Sequence, residues 1–353
     1  MVREAPPRVD PGQTHAGRAV NVKKNCWRRP GALLPFVALA IGGCTGVQSA
    51  LDPKGPAAAT IAGISWIMFA GAALIFLSVI ILLACGLLHR PACRRAIDSN
   101  LFIIGGGVIL PVVTLSALLV YAMFAQASLV ETPGEEPLVV EVIGHQWWWE
   151  MTYRDGDVSQ RVTTANELHI PAGRPVELHL ESRDVIHTFW VPNLAGKRDM
   201  VPGHTNVLHI EADKPGLFRG QCNEFCGDQH ALMSLFVVSE TPKDFERWLA
   251  GQRKRASVPT DPFLKKGHDA FMTAGCALCH TVRGTQARGQ VAPDLTHFGS
   301  RHSIAAATLR NNTANLEAWI VSAQHLKPDN RMPNYHFDGE TLHAVAAWLE
   351  SLE

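Results

Sequence analysis

The spacing of apolar residues changes twice along the chain, and each change marks a new region. Two uncharged apolar runs come first, from Ile61 to Leu88 and from Leu101 to Ala125, and each exceeds the ~20 residues that one membrane crossing requires. Segments of strand length follow, separated by Pro and Gly turns, and the last region has apolar residues at helical spacing. We predict a multidomain membrane protein with a two-helix transmembrane hairpin, an all-β Greek-key sandwich and an all-α domain.

Turn residues and changes in composition give the expected domain limits. A charged segment with two prolines follows the sandwich, and it is typical of a short helix and a linker. A helix is expected from Pro262 to Thr273, and another in the final stretch E-T-L-H-A-V-A-A-W-L-E-S-L. The predicted limits are a leader at 1–43, the hairpin at 56–127, the sandwich at 137–239, the linker at 240–261 and the all-α domain at 262–353.

The amino-terminal region has the layout of an export signal. Four basic residues precede a short apolar run at 32–43 that ends in small residues, which is the order of a secretory signal. The run ends I-G-G-C and resembles a bacterial lipobox, so Cys44 is a candidate for a lipidated first residue of the mature chain. An ordinary signal with an idle Cys44 is the alternative.

Charge then orients the hairpin. The loop between the two apolar runs contains His89, Arg90, Arg94 and Arg95, and the positive-inside rule keeps such a loop in the cytoplasm. The chain after Ala127 therefore lies outside, and the predicted location is the inner membrane of a bacterium with the carboxyl-terminal domains on the periplasmic side. Lys plus Arg and Asp plus Glu number 32 each, and this balance gives no indication of nucleic-acid binding.

The loop Q-C-N-E-F-C-G-D-Q-H-A-L-M, from Gln221 to Met233, concentrates metal-ligand side chains. It contains Cys222, Cys226 and His230 as well as the methionine. Thiolate, imidazole and thioether are ligands that copper prefers, and a single blue copper uses only one cysteine. The loop is therefore predicted to be a copper site with one thiolate more than a mononuclear centre needs.

Both sulfurs are used if Cys222 and Cys226 bridge two copper ions, each with its own imidazole and one weak outer ligand. The second imidazole must come from elsewhere, and His187 in the strand-like run D-V-I-H-T-F-W-V-P is the best candidate. A structural Cys2His2 zinc site is the alternative, since zinc accepts this cysteine spacing. It leaves Met233 without a role, because thioether is a copper ligand rather than a zinc ligand.

A second motif, C-A-L-C-H, is typical of covalent c-type heme attachment. Its two thiols, Cys276 and Cys279, bond the vinyl groups, and the adjacent His280 ligates the iron. A thioredoxin-like dithiol is the alternative reading of the two cysteines, but it needs a strand-helix-strand frame that this region lacks.

The sixth iron ligand must come from far along the chain, because His280 occupies one face of the heme. Met332 in N-R-M-P-N-Y is the choice, since Met/His ligation raises the potential as an electron carrier requires. His325 and His336 are the alternatives.

These motifs together resemble one family. The metal loop, the run D-V-I-H-T-F-W-V-P-N-L-A-G-K-R-D-M-V-P-G and the aromatic run G-H-Q-W-W-W-E look like subunit II of the heme-copper cytochrome c oxidases. The resemblance implies that the sandwich is a cupredoxin. The last domain looks like a class I cytochrome c, in which Pro293 matches the proline whose carbonyl orients the ligating histidine.

The resemblance also implies roles for single residues. Cys222 and Cys226 would bridge a mixed-valence dicopper centre, called CuA, whose remaining ligands would be two terminal imidazoles and two weak outer donors. The terminal ligands are His187 and His230, and the weak ones are Met233 and the carbonyl of Glu224. The Glu224 carboxylate would point toward a magnesium ion at the boundary with subunit I. Trp147 would lie where electrons enter.

The function that follows is electron delivery in a terminal oxidase. The chain would accept electrons through its heme c, from a soluble cytochrome c, and pass them by the copper centre to the heme of subunit I. Subunit I would reduce dioxygen and translocate protons, and subunit III would complete the assembly. A quinol oxidase subunit would lack the copper ligands, and a copper chaperone would need no heme. A reductase of nitrogen oxides would need a further catalytic domain.

Overall fold

Two long apolar helices form the membrane part of the chain. The computed structural model describes residues 45–88, 98–128, 136–154 and 158–353. Helix α1 spans Pro56–Leu87, and the second crossing consists of α2 (Asn100–Ile104), a π-helical turn (Gly105–Ile109) and α3 (Leu110–Ser128). Both crossings are long and apolar enough to span a bilayer, which agrees with the predicted hairpin.

Most large apolar side chains of these helices face outward, as a lipid environment requires. The Ser99 hydroxyl caps the second crossing by accepting a hydrogen bond from Phe102 N at 3.2 Å. The basic loop that sets the predicted orientation lies outside the described residues, as do the predicted leader and Cys44.

Two five-stranded sheets pack face to face after the hairpin. The strands are β1 Leu138–His145, β2 Trp148–Tyr153, β3 Val162–Ala165, β4 Glu167–Pro171, β5 Val176–Ser182, β6 His187–Trp190, β7 Arg198–Met200, β8 Asn206–Ile210, β9 Gly216–Cys222 and β10 Ser234–Glu240. One sheet has the order β3-β2-β1-β5-β8, and the other has the order β4-β10-β9-β6-β7. The pairs β1/β5 and β4/β10 are parallel, and the remaining pairs are antiparallel.

Alternation of side chains explains the sandwich. Along β1 every second residue is fully buried, because successive side chains of a strand point to opposite faces. The buried faces of the two sheets meet in one core that includes Trp149, Met151, Leu178 and Phe189. The predicted all-β cupredoxin-like sandwich is therefore confirmed.

The predicted linker begins with structure that belongs to the sandwich. Helix α4 (Pro242–Gln252) starts at Thr241, whose hydroxyl accepts a hydrogen bond from Asp244 N. Phe245 and Leu249 of this helix join the sandwich core. The free connection to the next domain is therefore shorter than the expected 240–261, because an amphipathic helix buries its apolar face on the nearest core.

The segment just before the hairpin also lies on the sandwich, which the sequence did not indicate. The Asn193 side-chain amide donates to the carbonyls of Gly46, Ser49 and Asp52 at 2.9–3.1 Å. Gly55 continues the contact, since a Cβ there would approach Glu211 O to 2.0 Å. Residues 46–55 are thus fixed against the sandwich before the chain enters α1.

The carboxyl-terminal domain is helical. It contains α5 (Pro262–Thr273), α6 (Cys276–Cys279), α7 (Thr313–Leu326) and α8 (Gly339–Glu350), with a small hairpin of β11 (Ser303–Ile304) and β12 (Leu309–Arg310). Helices α5 and α8 cross closely at Gly267, where a Cβ would approach Ala344 O to 2.0 Å. Phe271, Trp348 and Leu349 are buried in its core. The helices predicted at both ends of this domain are confirmed.

Candidate metal centre and heme cavity

Strand pairing brings the metal-ligand side chains together. Strand β9 ends at Cys222, and the loop that follows contains Cys226 and the 3-10 turn His230–Leu232 before β10 begins. Strand β6 begins at His187 and pairs with β9, with Phe189 opposite Cys222. Neighbouring strands lie ~4.8 Å apart, so a histidine far away in sequence reaches the cysteine loop.

The six donors predicted from the sequence converge in two sets. Around Cys222 Sγ lie His187 Nδ1 at 3.8 Å and the carbonyl oxygen of Glu224 at 3.2 Å. Around Cys226 Sγ lie His230 Nδ1 at 3.7 Å and Met233 Sδ at 3.8 Å. The two sulfurs are 3.7 Å apart. Each sulfur therefore has one imidazole and one weak donor of its own.

The donor set fits copper. A sulfur separation of 3.7 Å is far longer than the ~2.05 Å of a disulfide, and both thiols are free. Half of that separation is shorter than a metal–thiolate bond of ~2.3 Å. A metal ion on either side of the line that joins the two sulfurs can therefore contact both of them. Both thiols are buried, as soft ligands of a water-shielded site should be.

Asp184 holds the first imidazole. Its Oδ1 lies 2.9 Å from His187 Nε2, and its Oδ2 accepts a hydrogen bond from Gln146 N at 2.8 Å. The ring is fully buried, and with Nε2 engaged the Nδ1 atom is left to face Cys222. The sequence does not single out Asp184 for this role. Its contact with His187 was missed because only the folded turn before β6 makes it.

Electrostatics favour deprotonation of one of the two sulfurs, that of Cys222. The hydrogen bond between the two thiols, with further help from His187, lowers the pKa of the Cys222 thiol to about 3, although burial opposes this shift. The same pairing and burial raise the pKa of Cys226. For His187, burial lowers the pKa, but the hydrogen bonds to Cys222 and Asp184 outweigh it and the net shift is upward. A metal ion must displace these shared protons when it binds.

Trp147 lies directly on the metal loop. Its indole Nε1 donates to the carbonyl of Cys226 at 2.9 Å, and the side-chain amide of Gln146 donates to the same oxygen at 2.9 Å. Gly227 follows with φ +112°, and a Cβ there would come within 2.9 Å of Trp147 Cζ2. A glycine is needed at this position both for the backbone conformation and for the indole ring.

The helical domain contains an apolar cavity at the C-A-L-C-H motif. Cys276, Cys279, His280 and Met332 all line it, together with aromatic and aliphatic side chains. The His280 Nδ1 atom lies 2.8 Å from the carbonyl oxygen of Pro293, so Nε2 is left to face the cavity. Burial lowers the pKa of His280, which favours the neutral imidazole that ligates iron. These residues fit a covalently attached heme.

The cavity also separates the candidates for the sixth iron ligand. Met332 is among its lining residues, whereas His325 and His336 are not. The sequence favours Met332 and keeps the two histidines as alternatives. The folded chain brings Met332 to the cavity because the segment after α7 turns back over it, with the carbonyls of Asn330 and Met332 accepting hydrogen bonds from the Gln324 side chain at 2.6 and 2.7 Å.

The cavity wall includes residues of the sandwich. His145, Gln146, Trp147, Trp148 and Asn166 line it alongside the helical domain. Trp148 is half-buried there and stacks on His145 with ring centroids 4.2 Å apart. The heme cavity and the cysteine loop are thus separated by the Trp147 turn.

A second contact fixes the helical domain on the sandwich. Glu167 of β4 is 2 % exposed, and its carboxylate accepts hydrogen bonds from His302 N at 2.8 Å and Ser303 N at 2.9 Å. His302 Nδ1 lies 3.1 Å from the other carboxylate oxygen, which raises the pKa of His302. No single-sequence pattern marks Glu167 as an interdomain residue.

Three consecutive alanines complete this contact. They adopt left-handed φ values of 55–59° in the loop between β11 and β12, a conformation that costs an L-residue roughly 1–2 kcal/mol. Two of their carbonyls accept hydrogen bonds from Ser234 N and Arg219 Nη1 of the sandwich. The third accepts one from Lys327 Nζ of the helical domain itself. The alanines are Ala305, Ala306 and Ala307.

Comparisons with known proteins find relatives of both the sandwich and the helical domain. Residues 155–240 match the family described as cytochrome c oxidase subunit II, periplasmic domain, and residues 264–353 match the cytochrome c family. The chain is 34 % identical over 344 residues to cytochrome c oxidase subunit 2 of Alkalihalophilus pseudofirmus, covering 93 % of this chain and 98 % of that protein. It is 28 % identical over 279 residues to the same subunit of Bacillus subtilis, covering 73 % and 77 % of the two chains.

One solved structure is similar to part of this chain. The periplasmic domain of subunit II of cytochrome oxidase from Bradyrhizobium japonicum is 27 % identical, covers 35 % of this chain and 97 % of its own, and gives a TM-score of 0.32. The two matched families imply copper in the sandwich and heme c in the helical domain. The relationship over nearly the full length of both chains, together with the donor set described above, establishes that this chain belongs to the cytochrome c oxidase subunit 2 family and is a component of a heme-copper oxidase.

Proposed function

We propose that this chain receives electrons at a covalent heme c and passes them through a dicopper CuA centre to the heme of subunit I, for dioxygen reduction coupled to proton translocation. When bound, heme c and copper supply one-electron redox chemistry. The observation that carries the proposal is the position of Trp147. It lines the heme cavity, and its indole N–H is bonded to the carbonyl of Cys226.

Two copper ions, rather than one ion of any kind, explain the donor arrangement best. Each sulfur has its own imidazole and its own weak donor. The donors that lie within 4.8 Å of one another are those of His187, Cys222 and Cys226, and His230 is not among them. A tetrahedral zinc site would gather all four nitrogen and sulfur ligands around one point. Such a site would also leave Met233 without a role.

The heme is proposed to be held by Cys276, Cys279 and His280, with Met332 as the sixth ligand. All four line one cavity. The role of the chain is to shield this cavity from water with apolar side chains, to keep His280 neutral through burial and to orient its ring through the hydrogen bond to Pro293 O. Met/His ligation and burial both tune the potential of a heme.

The exposed Glu224 carboxylate is proposed to contribute to a magnesium site at the boundary with subunit I. Its carbonyl oxygen lies 3.2 Å from Cys222 Sγ, so one residue would connect the copper loop to the second ion. Carboxylate oxygens suit magnesium, and the loop is the part of the sandwich where a neighbouring subunit would approach.

We propose that the chain lies in a bacterial inner membrane with both redox domains on the periplasmic side. Residues 46–55 support this topology, because they lie against the sandwich and must share its side of the membrane. Subunits I and III are the proposed partners, and a soluble cytochrome c is the proposed donor to the heme. The domain limits at 56–127, 137–239 and 262–353 stay predictions.

Metal analysis and spectroscopy of the purified oxidase test this function. The chain is expected to contain two copper ions and one covalent heme, with the near-infrared band of a mixed-valence dicopper centre. Cys222→Ser is expected to abolish that band and to leave heme staining intact, because the heme cavity does not include Cys222. One copper ion per chain, or zinc, would overturn the dicopper proposal.

A further inference from the structure

Lys327 is a buried lysine at the junction of the sandwich and the helical domain. It follows α7 directly and is only 3 % exposed. Its Nζ atom lies 3.1 Å from Trp147 O, 2.9 Å from Leu232 O and 3.2 Å from Ala305 O. An ammonium group has three donors and no acceptor, so these three carbonyls use its full capacity.

The three carbonyls belong to three separate segments. Trp147 is in the turn between the heme cavity and the copper loop, and Leu232 ends the 3-10 turn that begins at His230. Ala305 is in the left-handed alanine loop of the helical domain. One side chain of the helical domain therefore contacts the Trp147 turn, the copper loop and the alanine loop of its own domain.

Surface charge pairing does not explain this lysine. Within the described ranges, no carboxylate lies within 4.0 Å of Lys327 Nζ as a salt-bridge partner. Burying an unpaired ammonium is unfavourable unless hydrogen bonds compensate it. Its carbonyl contacts all serve to hold segments that surround the two redox sites.

Neighbouring contacts add to the same junction. The side-chain amide of Gln229, on the copper loop, donates to Pro328 O at 2.5 Å, directly after Lys327. Arg331 Nη2 donates to Gln146 Oε1 at 3.2 Å, on the residue before Trp147. Like Lys327, these two contacts join the helical domain to the copper loop and to the turn that contains Trp147.

We propose that Lys327 is a positioning residue for electron transfer from heme c to copper. Its three hydrogen bonds fix the Trp147 turn and the copper loop relative to the heme cavity. This inference rests on the proposed function, because it assumes that electrons pass between the two sites. Without the ammonium group, the three carbonyls lose their common donor and the segments are free to move apart.

Lys327→Met in the assembled oxidase tests the proposal, because methionine has a similar length and no donor. Rapid mixing with a reduced donor separates two phases, namely heme reduction and the later loss of the near-infrared copper band. Heme reduction is expected to keep its wild-type rate. Copper reduction is expected to slow by about tenfold or more, since a misplacement of about 1 Å can slow the reaction of positioned groups by about 100-fold.

Lys265→Met is the matched control. It makes the same chemical change in the same domain, but Lys265 is exposed on α5 and pairs with Asp269. Wild-type rates in both phases are expected for this variant. Equal slowing in Lys265→Met, or wild-type copper reduction in Lys327→Met, would overturn the role of Lys327.

Two further results keep the test decisive. If Lys327→Met does not assemble, Lys327→Gln replaces it, because glutamine is polar but shorter than lysine, and its two N–H donors cannot serve three carbonyls. Slower copper reduction in that variant supports the proposal, and a wild-type rate refutes it. Failure of the proposed function is distinguishable, since the wild-type oxidase would then show no copper reduction after heme reduction at all.

Discussion

Asp184→Asn tests whether this carboxylate holds the copper-binding imidazole in place. In the structure Oδ1 contacts His187 Nε2 at 2.9 Å and Oδ2 accepts from Gln146 N at 2.8 Å. An asparagine has one acceptor oxygen, so it can keep only one of these two bonds. Either the imidazole loses its orientation or the Gln146 N–H loses its partner.

The expected magnitude follows from this geometry. Residues that orient a metal-binding histidine typically change metal affinity about 10- to 100-fold when they are replaced. Each factor of ten corresponds to about 1.4 kcal/mol, so the variant should lose about 1.4–2.8 kcal/mol of copper binding. The fold should survive, because Asp184 lies at the edge of the site rather than in the sandwich core.

Copper retention against a chelator is the assay, followed by the near-infrared band in the purified oxidase. Glu141→Gln is the control, since it also converts a carboxylate to an amide, on β1, where Glu141 pairs with Arg154 at 2.8 Å far from the copper loop. The control should retain copper as the wild type does. Equal retention in Asp184→Asn and the wild type would refute the assignment of Asp184 as the residue that orients His187.

Three further perturbations probe the heme, the indole and the domain contact. Met332→Ala should lower the heme potential, because the thioether is proposed as the sixth ligand, whereas His325→Ala should leave it unchanged; redox titration decides, and the opposite pattern would assign the ligand to His325. Gly227→Ala should slow copper reduction, because the new Cβ would lie only 2.9 Å from Trp147 Cζ2 and would displace the indole ring. Gly173→Ala is the control, because Gly173 also has a left-handed φ, of +74°, but has open space around it. Both alanines should cost roughly 1–2 kcal/mol of backbone strain, so the thermal unfolding midpoint should fall in both, and slowed copper reduction in both would remove the role of Trp147. Docking of the helical domain should weaken as pH rises, because Glu167 raises the pKa of His302. The stabilisation from this ion pair is full below the unfolded-state histidine pKa of ~6.5. It is lost as pH rises through the higher folded-state pKa. Unfolding of the oxidase at a series of pH values measures this, and His302→Gln should flatten the profile; an unchanged slope would show that the Glu167 contact is not pH-dependent.

Local patterns in the sequence determined the architecture and the chemical types of the sites. The C-A-L-C-H motif, the spacing of Cys222, Cys226, His230 and Met233, and the two apolar runs are each contained in a short stretch. What each stretch predicts depends on the types of its side chains and on the period of its apolar residues. Both can be read from the local sequence without knowledge of long-range contacts. The loop ligands were therefore predictable, and His187 was predictable as a candidate.

Only the tertiary structure decided which distant groups serve these sites. Glu167 beside His302 and Lys327 between Trp147 and Leu232 are contacts between distant segments that no local period relates. Asp184 is only three residues before His187, but the folded turn is what brings its carboxylate to the imidazole. Part of the predicted linker also belongs to the sandwich core, because Phe245 and Leu249 pack against the apolar residues of the sandwich. The type of a residue determines whether it can donate a hydrogen bond or ligate a metal. Which partner it contacts depends on how the whole chain packs, and this packing involves residues far apart in sequence.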